Sequence, residues 1–420
     1  MGRLPPRRLV TAGRPYPGGG RVLTNVNVWS PDGEWLVYDT RSDPAGTTFD
    51  GTRIERVHAR TGAVETRYTS RNGAHCGVAT YNPDTGCVLF ILGPESPDTA
   101  WSYGPARRQG VILDGYSVTN LDARDLTPPF TPGALRGGSH VHVAHPAGRL
   151  VSFTYDDHVL TELPPGTPDA DSNQRNVAVA DGGHAVGVPA THPRDHDGES
   201  FSVVVTRTVN APTPGSDEIS RACEEAWVGG TRTLAFQGTV VTARGATITE
   251  AFAVDLPDDL TAPGGGPLEG TATRRPAPPR GTVQRRLTDT TGHRYPGLSG
   301  PRHWLRSDGL GRRVGVLKRD SDGVVQFWTV SPVGGDLRQV TRSRQPVASA
   351  FTWHPDGERV AFVAGDCVCL TDATTGVTTR LTPPLPGVRP EACVVSPDGA
   401  WVAFAQSVGG ASQVGVVGTG

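Results

Sequence analysis

Residues 349–382 read SAFTWHPDGERVAFVAGDCVCLTDATTGVTTRLT, and this stretch decides the fold. Residues 350–353 alternate as a short strand, and His354-Pro355-Asp356-Gly357 forms a tight turn. Residues 359–364 and 367–372 read as two further strands, Thr375-Gly376 turns the chain, and residues 377–381 supply a fourth. Proline presets φ for a turn, aspartate accepts local backbone bonds, and glycine supplies positive φ. Pro-Asp-Gly between apolar runs is therefore a hairpin signal with a mechanism.

Working outward, the same unit recurs along the chain. The first copy is VNVWSPDGEWLVYDTR with TRIERVHARTGAVETRYT, and further openers fall near residues 77, 141, 177, 225, 303, 351 and 393. A repeat of roughly 40–50 residues with four strands each is the signature of a propeller blade, here of a WD40-like kind. Helical periodicity is absent. The expectation is an all-β chain forming a single β-propeller of eight blades, with seven as the alternative because the third and fourth units are each short of a strand. Residues 21–24 (RVLT) resemble the closing strand of the model unit and are expected to complete the last blade. Residues 1–20, rich in Pro, Gly and Arg, are expected to be a flexible tail, and residues 21–420 the propeller. Residues 258–282 are a Pro/Gly-rich loop inserted in the fifth unit. The sixth unit reads Ser307-Asp308-Gly309, which predicts a shorter first hairpin there.

Charge and cysteine usage narrow the function classes. The chain has 420 residues and a net charge of −2, with acids and bases interspersed, so no basic stripe points to nucleic acid. Its six cysteines (Cys76, Cys87, Cys223, Cys367, Cys369, Cys393) fall on or beside predicted strands without a Cys-x-x-Cys pair, as expected of buried reduced thiols. No stretch has the apolar length of a membrane span, and the first residues lack the apolar core of a signal peptide. A cytoplasmic monomer without membrane or nucleic-acid partners is the expectation.

The repeat W-S-P-D-G-x-x-L/V-A-F with a closing L-T resembles the propeller of TolB and its relatives. Four further stretches are more specific: SHVHV…SFTYDDHVL (139–160), VTRTVNAPTPGSDEISRACEEAWVG (205–229), GPLEGTATRRPAPPRGTVQRRLT (266–288) and GPRHWLRS (300–307). Together they resemble a bacterial family of unknown function typified by YidR, across residues 21–405. The resemblance implies a TolB-like propeller and brings no established activity with it.

In a propeller the first strand of each blade lines the central channel. Aligning the openers on their turns places Asn25, His140, Ser349 and Glu391 at one position, with Arg302 equivalent if the sixth turn is short. Period-two geometry adds Asn27 and His142 to the same face. His75, Arg175, Asn176, Glu224, Glu225 and His303 lie near the starts of the other inner strands. A ring of Asn25, His75, His140, His142, Arg175, Glu224, Glu225, Arg302, His303 and Glu391 would suit a small polar ligand or a protein or peptide partner at the channel mouth. Neighbouring strand residues point to opposite faces, so Glu224 and Glu225 are not expected to act as a pair. Trp29, Trp304 and Trp353 are expected to pack between blades.

Binding at the mouth is the leading function. The rival is a metal-dependent lyase or hydrolase of a sugar-like substrate, with Mn or Zn on His140, His303 and Glu391. Oligogalacturonate lyases, propellers with a histidine-bound divalent metal, make that rival an analogy of fold. A third reading is an interaction scaffold working through rim loops such as 258–282. No Gly-x-Ser-x-Gly occurs, which speaks against a prolyl-oligopeptidase-type peptidase.

Overall fold

The computed structural model describes residues 4–11, 19–301 and 305–420, and of residues 389–392 the backbone alone. One hydrogen bond, repeated around the molecule, shows how the sequence builds it. The amide of Ser30 donates to the carbonyl of Trp35, closing the hairpin between the first two strands of a blade. The same five-residue step joins Asn82 to Cys87, His145 to Leu150, Val228 to Thr233, Asp308 to Arg313, His354 to Arg359 and Ser396 to Trp401. Within these turns Gly33, Gly357 and Gly399 take φ near +70°, and Asp32, Asp356 and Asp398 accept the amide two residues on.

Seven hairpins head seven four-stranded antiparallel sheets among the described residues. Blade 1 holds Gly20–Val22, Trp35–Arg41, Arg53–His58 and Val64–Thr69, and blade 2 holds Cys76–Tyr81, Val88–Leu92, Gln109–Asp114 and Ser117–Asn120. Blade 3 is Gly137–Ala144, Leu150–Asp157, Asn176–Val186 and Gly198–Val204. Blade 4 is Arg221–Trp227, Thr233–Val241, Thr247–Asp255 and Val283–Arg286. Blade 5 opens at Arg306–Ser307 and blade 6 at Thr352–Trp353. Blade 7 takes Val388–Val395, Trp401–Val408 and Ala411–Gly418.

The favoured count of eight gives way to seven. The segments read as a third and a fourth unit pair strand to strand, Leu150–Asp157 against Asn176–Val186, and make one sheet. Eighteen residues, including the short helix His158–Thr161, separate those two strands and imitate a boundary between blades. The closing strand is also corrected. Arg7–Leu9 pairs antiparallel with Ala411–Gly418, Arg7 opposite Val417, and completes blade 7. Residues 20–22 instead form the inner strand of blade 1, Gly20 opposite Arg41. The expected tail of residues 1–20 thus contains the strand that shuts the ring, with Val10 and Thr11 buried behind it. Blade 5's hairpin is not shortened either, because Asp308 occupies the place of Ser30.

Apolar side chains fill the gaps between blades. Phe327 of blade 5 meets Phe351 of blade 6 edge-on at 4.9 Å, and Phe362 closes the same cluster. Burying each such ring contributes about 1.5–3 kcal/mol. Inner-strand tryptophans clamp neighbouring blades: Trp29 Nε1 donates to Val394 O (3.0 Å), Trp227 Nε1 to Val143 O (2.9 Å) and Trp353 Nε1 to Arg306 O (2.9 Å). Trp304 lies outside the described residues.

Residues 258–282 are fastened across blades 3 and 4. Leu260 and Leu268 join the apolar core there, Arg136 donates to Thr271 O and to Arg274 O, and Arg275 donates to Gln174 and Thr208. Five cysteines are buried and Cys87 is half-buried. Among the described residues no helix is long and apolar enough to cross a membrane.

Candidate functional site

The inner strands are not smooth. In blades 2, 3 and 4 the register against the second strand slips by one residue, between Gly77 and Thr80, His140 and Val143, and Cys223 and Ala226. Each slip is a one-residue bulge holding a left-handed residue: Val78 at φ +58°, Val141 at +57° and Glu224 at +57°. Asn27 of blade 1 takes φ +48° in the neighbouring position. Valine in this conformation costs on the order of 1–3 kcal/mol, so the surroundings must hold it there. For Val78 the holder is visible, because its amide donates to Asp39 Oδ1 of blade 1 at 3.1 Å. Gly77 makes that approach possible, since a Cβ there would lie 2.7 Å from Asp39 Oδ2.

Bulges re-aim side chains, and here they open a cavity of about 300 Å³ at the channel mouth between blades 1, 2 and 3. Asn25, Val78, Val141 and His140 border it from the inner strands. Arg41, Phe49, Tyr103 and Arg108 border it from the second strand of blade 1 and the loops after the second strands of blades 1 and 2. Phe49 and Tyr103 stack at 4.7 Å, with the Arg41 guanidinium over Phe49 (4.7 Å) and Arg108 over Tyr103 (5.4 Å). Arg41 is anchored by Asp39 and by Thr48 O. Burial pushes the Asp39 carboxyl up, and Arg41 beside it opposes that. Arg108 Nε donates to the Tyr103 hydroxyl at 2.9 Å, while its Nη1 is buried without a hydrogen-bond partner.

Asn25 links this cavity to the channel. Its Oδ1 accepts from Arg306 Nη2 at 2.7 Å, and Arg306, 7% exposed, lies within electrostatic reach of Glu224 and Glu225. Desolvation lowers the Arg306 guanidinium to about 10. Glu225 is buried and accepts from Thr154 Oγ1 at 3.0 Å, while Gln237 Nε2 donates to Glu224 Oε2 at 2.9 Å. Two adjacent strand residues should part to opposite faces. The bulge at 224 cancels that alternation, and both carboxylates act on one guanidinium.

The candidates from sequence therefore divide. Asn25 and His140 border the cavity, and Glu224 and Glu225 lie behind it within electrostatic reach of Arg306. His142 turns into the blade: the ring is fully buried, reaches Ser139 Oγ at 3.0 Å and packs on Phe153. Period-two reasoning failed there because the bulge at Val141 rotates the next residue away. Burial lowers the His142 imidazole to about 3, so it stays neutral. Arg175 is held in an ion pair with Asp156 at 3.1 Å, and His75 does not border the cavity. Ser349 is structural, its Oγ accepting from the amide of Val363 at 2.8 Å. Arg302, His303 and the Glu391 side chain lie outside the described residues.

Arg41, Arg108 and Arg306 went unnoticed in the sequence. For Arg306 a signal existed. It stands two residues before the turn position that the hairpin bond defines, where the other blades carry Val28, Thr80, Val143, Ala226, Thr352 and Val394. The assumption of a shortened turn hid that alignment.

The fold and mouth together define a seven-bladed β-propeller whose polar cavity opens between its first three blades. By sequence the chain belongs to the family of the uncharacterized protein YidR from Escherichia coli (strain K12), with which it is 47% identical over 388 residues, 91% of this chain and 92% of that one. Residues 75–196, which include His140 and Arg108, match a family described as a protein of unknown function (DUF3748). Among solved structures, an oligogalacturonate lyase in complex with manganese has a TM-score of 0.54 at 11% identity, covering 96% of this chain and 90% of that one. The oligogalacturonate lyase of Vibrio parahaemolyticus has a TM-score of 0.55 at 8% identity, covering 96% and 91%. At such identities the likeness is one of fold.

Proposed function

We propose that the cavity between blades 1, 2 and 3 binds a small polar ligand carrying an acidic group. The observation that supports this best is Arg108 Nη1, a buried cationic donor without an acceptor at the wall of a cavity of about 300 Å³. A buried unmatched donor is costly, and an anionic oxygen would satisfy it with a charge-assisted bond. Arg41 adds a second guanidinium held in place before any ligand arrives, while Asn25 and His140 offer further polar contacts. The stacked rings of Phe49 and Tyr103 hold the two guanidiniums over them and give the cavity an apolar wall.

Calorimetric titration with galacturonate, glucuronate and inorganic phosphate tests this reading. At least one should bind, and Arg108→Gln should weaken it by tenfold or more while shifting the melting temperature little. Silence from all three probes, or equal binding by Arg108→Gln, overturns it.

A second reading is a manganese-dependent enzyme acting on a sugar-like substrate. It draws on His140 at the cavity wall and on the fold likeness to a manganese-bound oligogalacturonate lyase. Among the described residues no three His, Cys, Asp or Glu side chains converge on a point that could hold a metal, so the described donor set does not fit one. Elemental analysis of purified protein after dialysis against manganese separates the readings: stoichiometric metal lost in His140→Ala supports this one, and its absence from the wild type sinks it.

A further inference from the structure

Among the described residues Glu225 is the one buried carboxylate with an oxygen left unpartnered. It is fully buried, its Oε2 accepts from Thr154, and its Oε1 has no hydrogen-bond partner. A carboxylate in that condition either holds a proton or draws on a nearby cation. Among the described residues the cation whose charge acts on it is Arg306, whose Nη2 donates to Asn25 Oδ1 and whose Nη1 donates to Leu305 O at 2.8 Å. One guanidinium therefore bonds an amide that borders the ligand cavity and feels the charge of a carboxyl that can be neutral or ionised.

Resting on the cavity assigned above, we propose that the side chain of Asn25 is set by a proton held on Glu225, with Arg306 as the positioning residue between them. The groups facing Glu225 among the described residues are few. Thr154 comes from blade 3, Glu224 from its own strand, and Arg306 from blade 5. Gln237 of the neighbouring blade 4 strand engages Glu224, and Arg175 engages Asp156. Arg221 lies near Cys223, Glu224 and Asp156. Burial is the largest influence and pushes the Glu225 carboxyl up to about 7; Glu224 adds to it, while Thr154 and Arg306 oppose it.

The direction follows. With Glu225 protonated, Arg306 keeps its bond to Asn25 and one carboxylate fewer opposes its charge toward the cavity. With Glu225 ionised, that carboxylate joins Glu224 in drawing on Arg306 and weakens its pull on an anion. An acidic ligand thus binds with uptake of a proton, and its affinity falls as the pH rises through 7.

The first test needs no ligand. In protein labelled with ¹⁵N-asparagine, the Asn25 side-chain amide signal should titrate with a midpoint near pH 7. Glu225→Gln should fix it at its low-pH position, and Thr154→Val, which removes a bond favouring the charged form, should move the midpoint upward. An Asn25 signal that does not titrate between pH 5.5 and 8.5 in the wild type overturns the proposal, whatever the variants do. The second test is galacturonate affinity, expected to fall at least fivefold from pH 6 to pH 8 and to stay flat in Glu225→Gln. A titrating Asn25 with no galacturonate binding keeps the coupling and defeats the choice of ligand. Binding that is independent of pH defeats the coupling and keeps the ligand.

Discussion

Blade 6 and blades 2 to 4 follow one plan and differ at one position. Four residues before the turn, blade 6 has Ala350 with no bulge, while blades 2, 3 and 4 have Val78, Val141 and Glu224 in left-handed geometry. Blade 6 spends its inner strand on packing, with Phe351 buried against Phe327 and Ser349 bonded to its own blade. Blades 2 to 4 give up ladder regularity, and in return Val78 and Val141 edge a cavity and Glu224 and Glu225 share Arg306. Stability and chemistry occupy different sides of one ring.

The largest expected effect tests the packing side. Phe351→Ala should cost about 3–5 kcal/mol, as for other buried phenylalanines, read by chemical denaturation. A loss below 1 kcal/mol would mean that blade 6 is no firmer than its neighbours.

The next effect lies on the chemical side. Glu225 has a folded pKa raised to about 7, so its contribution to stability is fully present below the unfolded pKa and is lost as the pH rises through 7. Relative to Glu225→Gln, the wild type should lose up to about 3 kcal/mol between pH 4 and pH 8. Parallel stability curves for the two proteins would contradict this.

A sharper contrast comes from glycine. Val78→Gly removes half-buried methyl groups but also removes left-handed strain, so the net change should stay within about 1 kcal/mol of zero. At the equivalent, unstrained position Ala350→Gly should destabilise by about 1 kcal/mol, although it removes less. If Val78→Gly proves much the more damaging, the bulge is not strained. Smallest is Asp356→Ala in the blade 6 turn. Asp356 accepts two backbone amides and pairs with Arg359, which hold its carboxyl down to about 2. About a third of it is exposed, so the loss should be below about 1 kcal/mol and should vanish as acid protonates the wild type between pH 4 and pH 2.

The regular parts of the ring were legible in the sequence because each element carries its own cause. Pro-Asp-Gly makes its turn locally, and period-two alternation marks a buried strand wherever it falls. Asn25 and His140 were legible because alignment on the turns fixes the mouth position. His142 was not, since no local signal shows that Val141 adopts φ +57° one residue earlier. Arg41 and Arg108 were hidden for another reason. They reach the cavity from a second strand and a loop, where nothing in the repeat fixes direction. The count of eight failed because the run from Asn176 looks like an opening strand while pairing as a third.

The closing strand also sets an order of events. Arg7 lies opposite Val417, so the first described strand is a partner of the last. Joining chain ends separated by some 400 residues would cost on the order of 5 kcal/mol in a flexible chain. Once the intervening blades have docked, those ends already lie side by side and the cost nearly disappears. The expected order is therefore blades first and latch last, with an open edge on blade 7 until the latch closes.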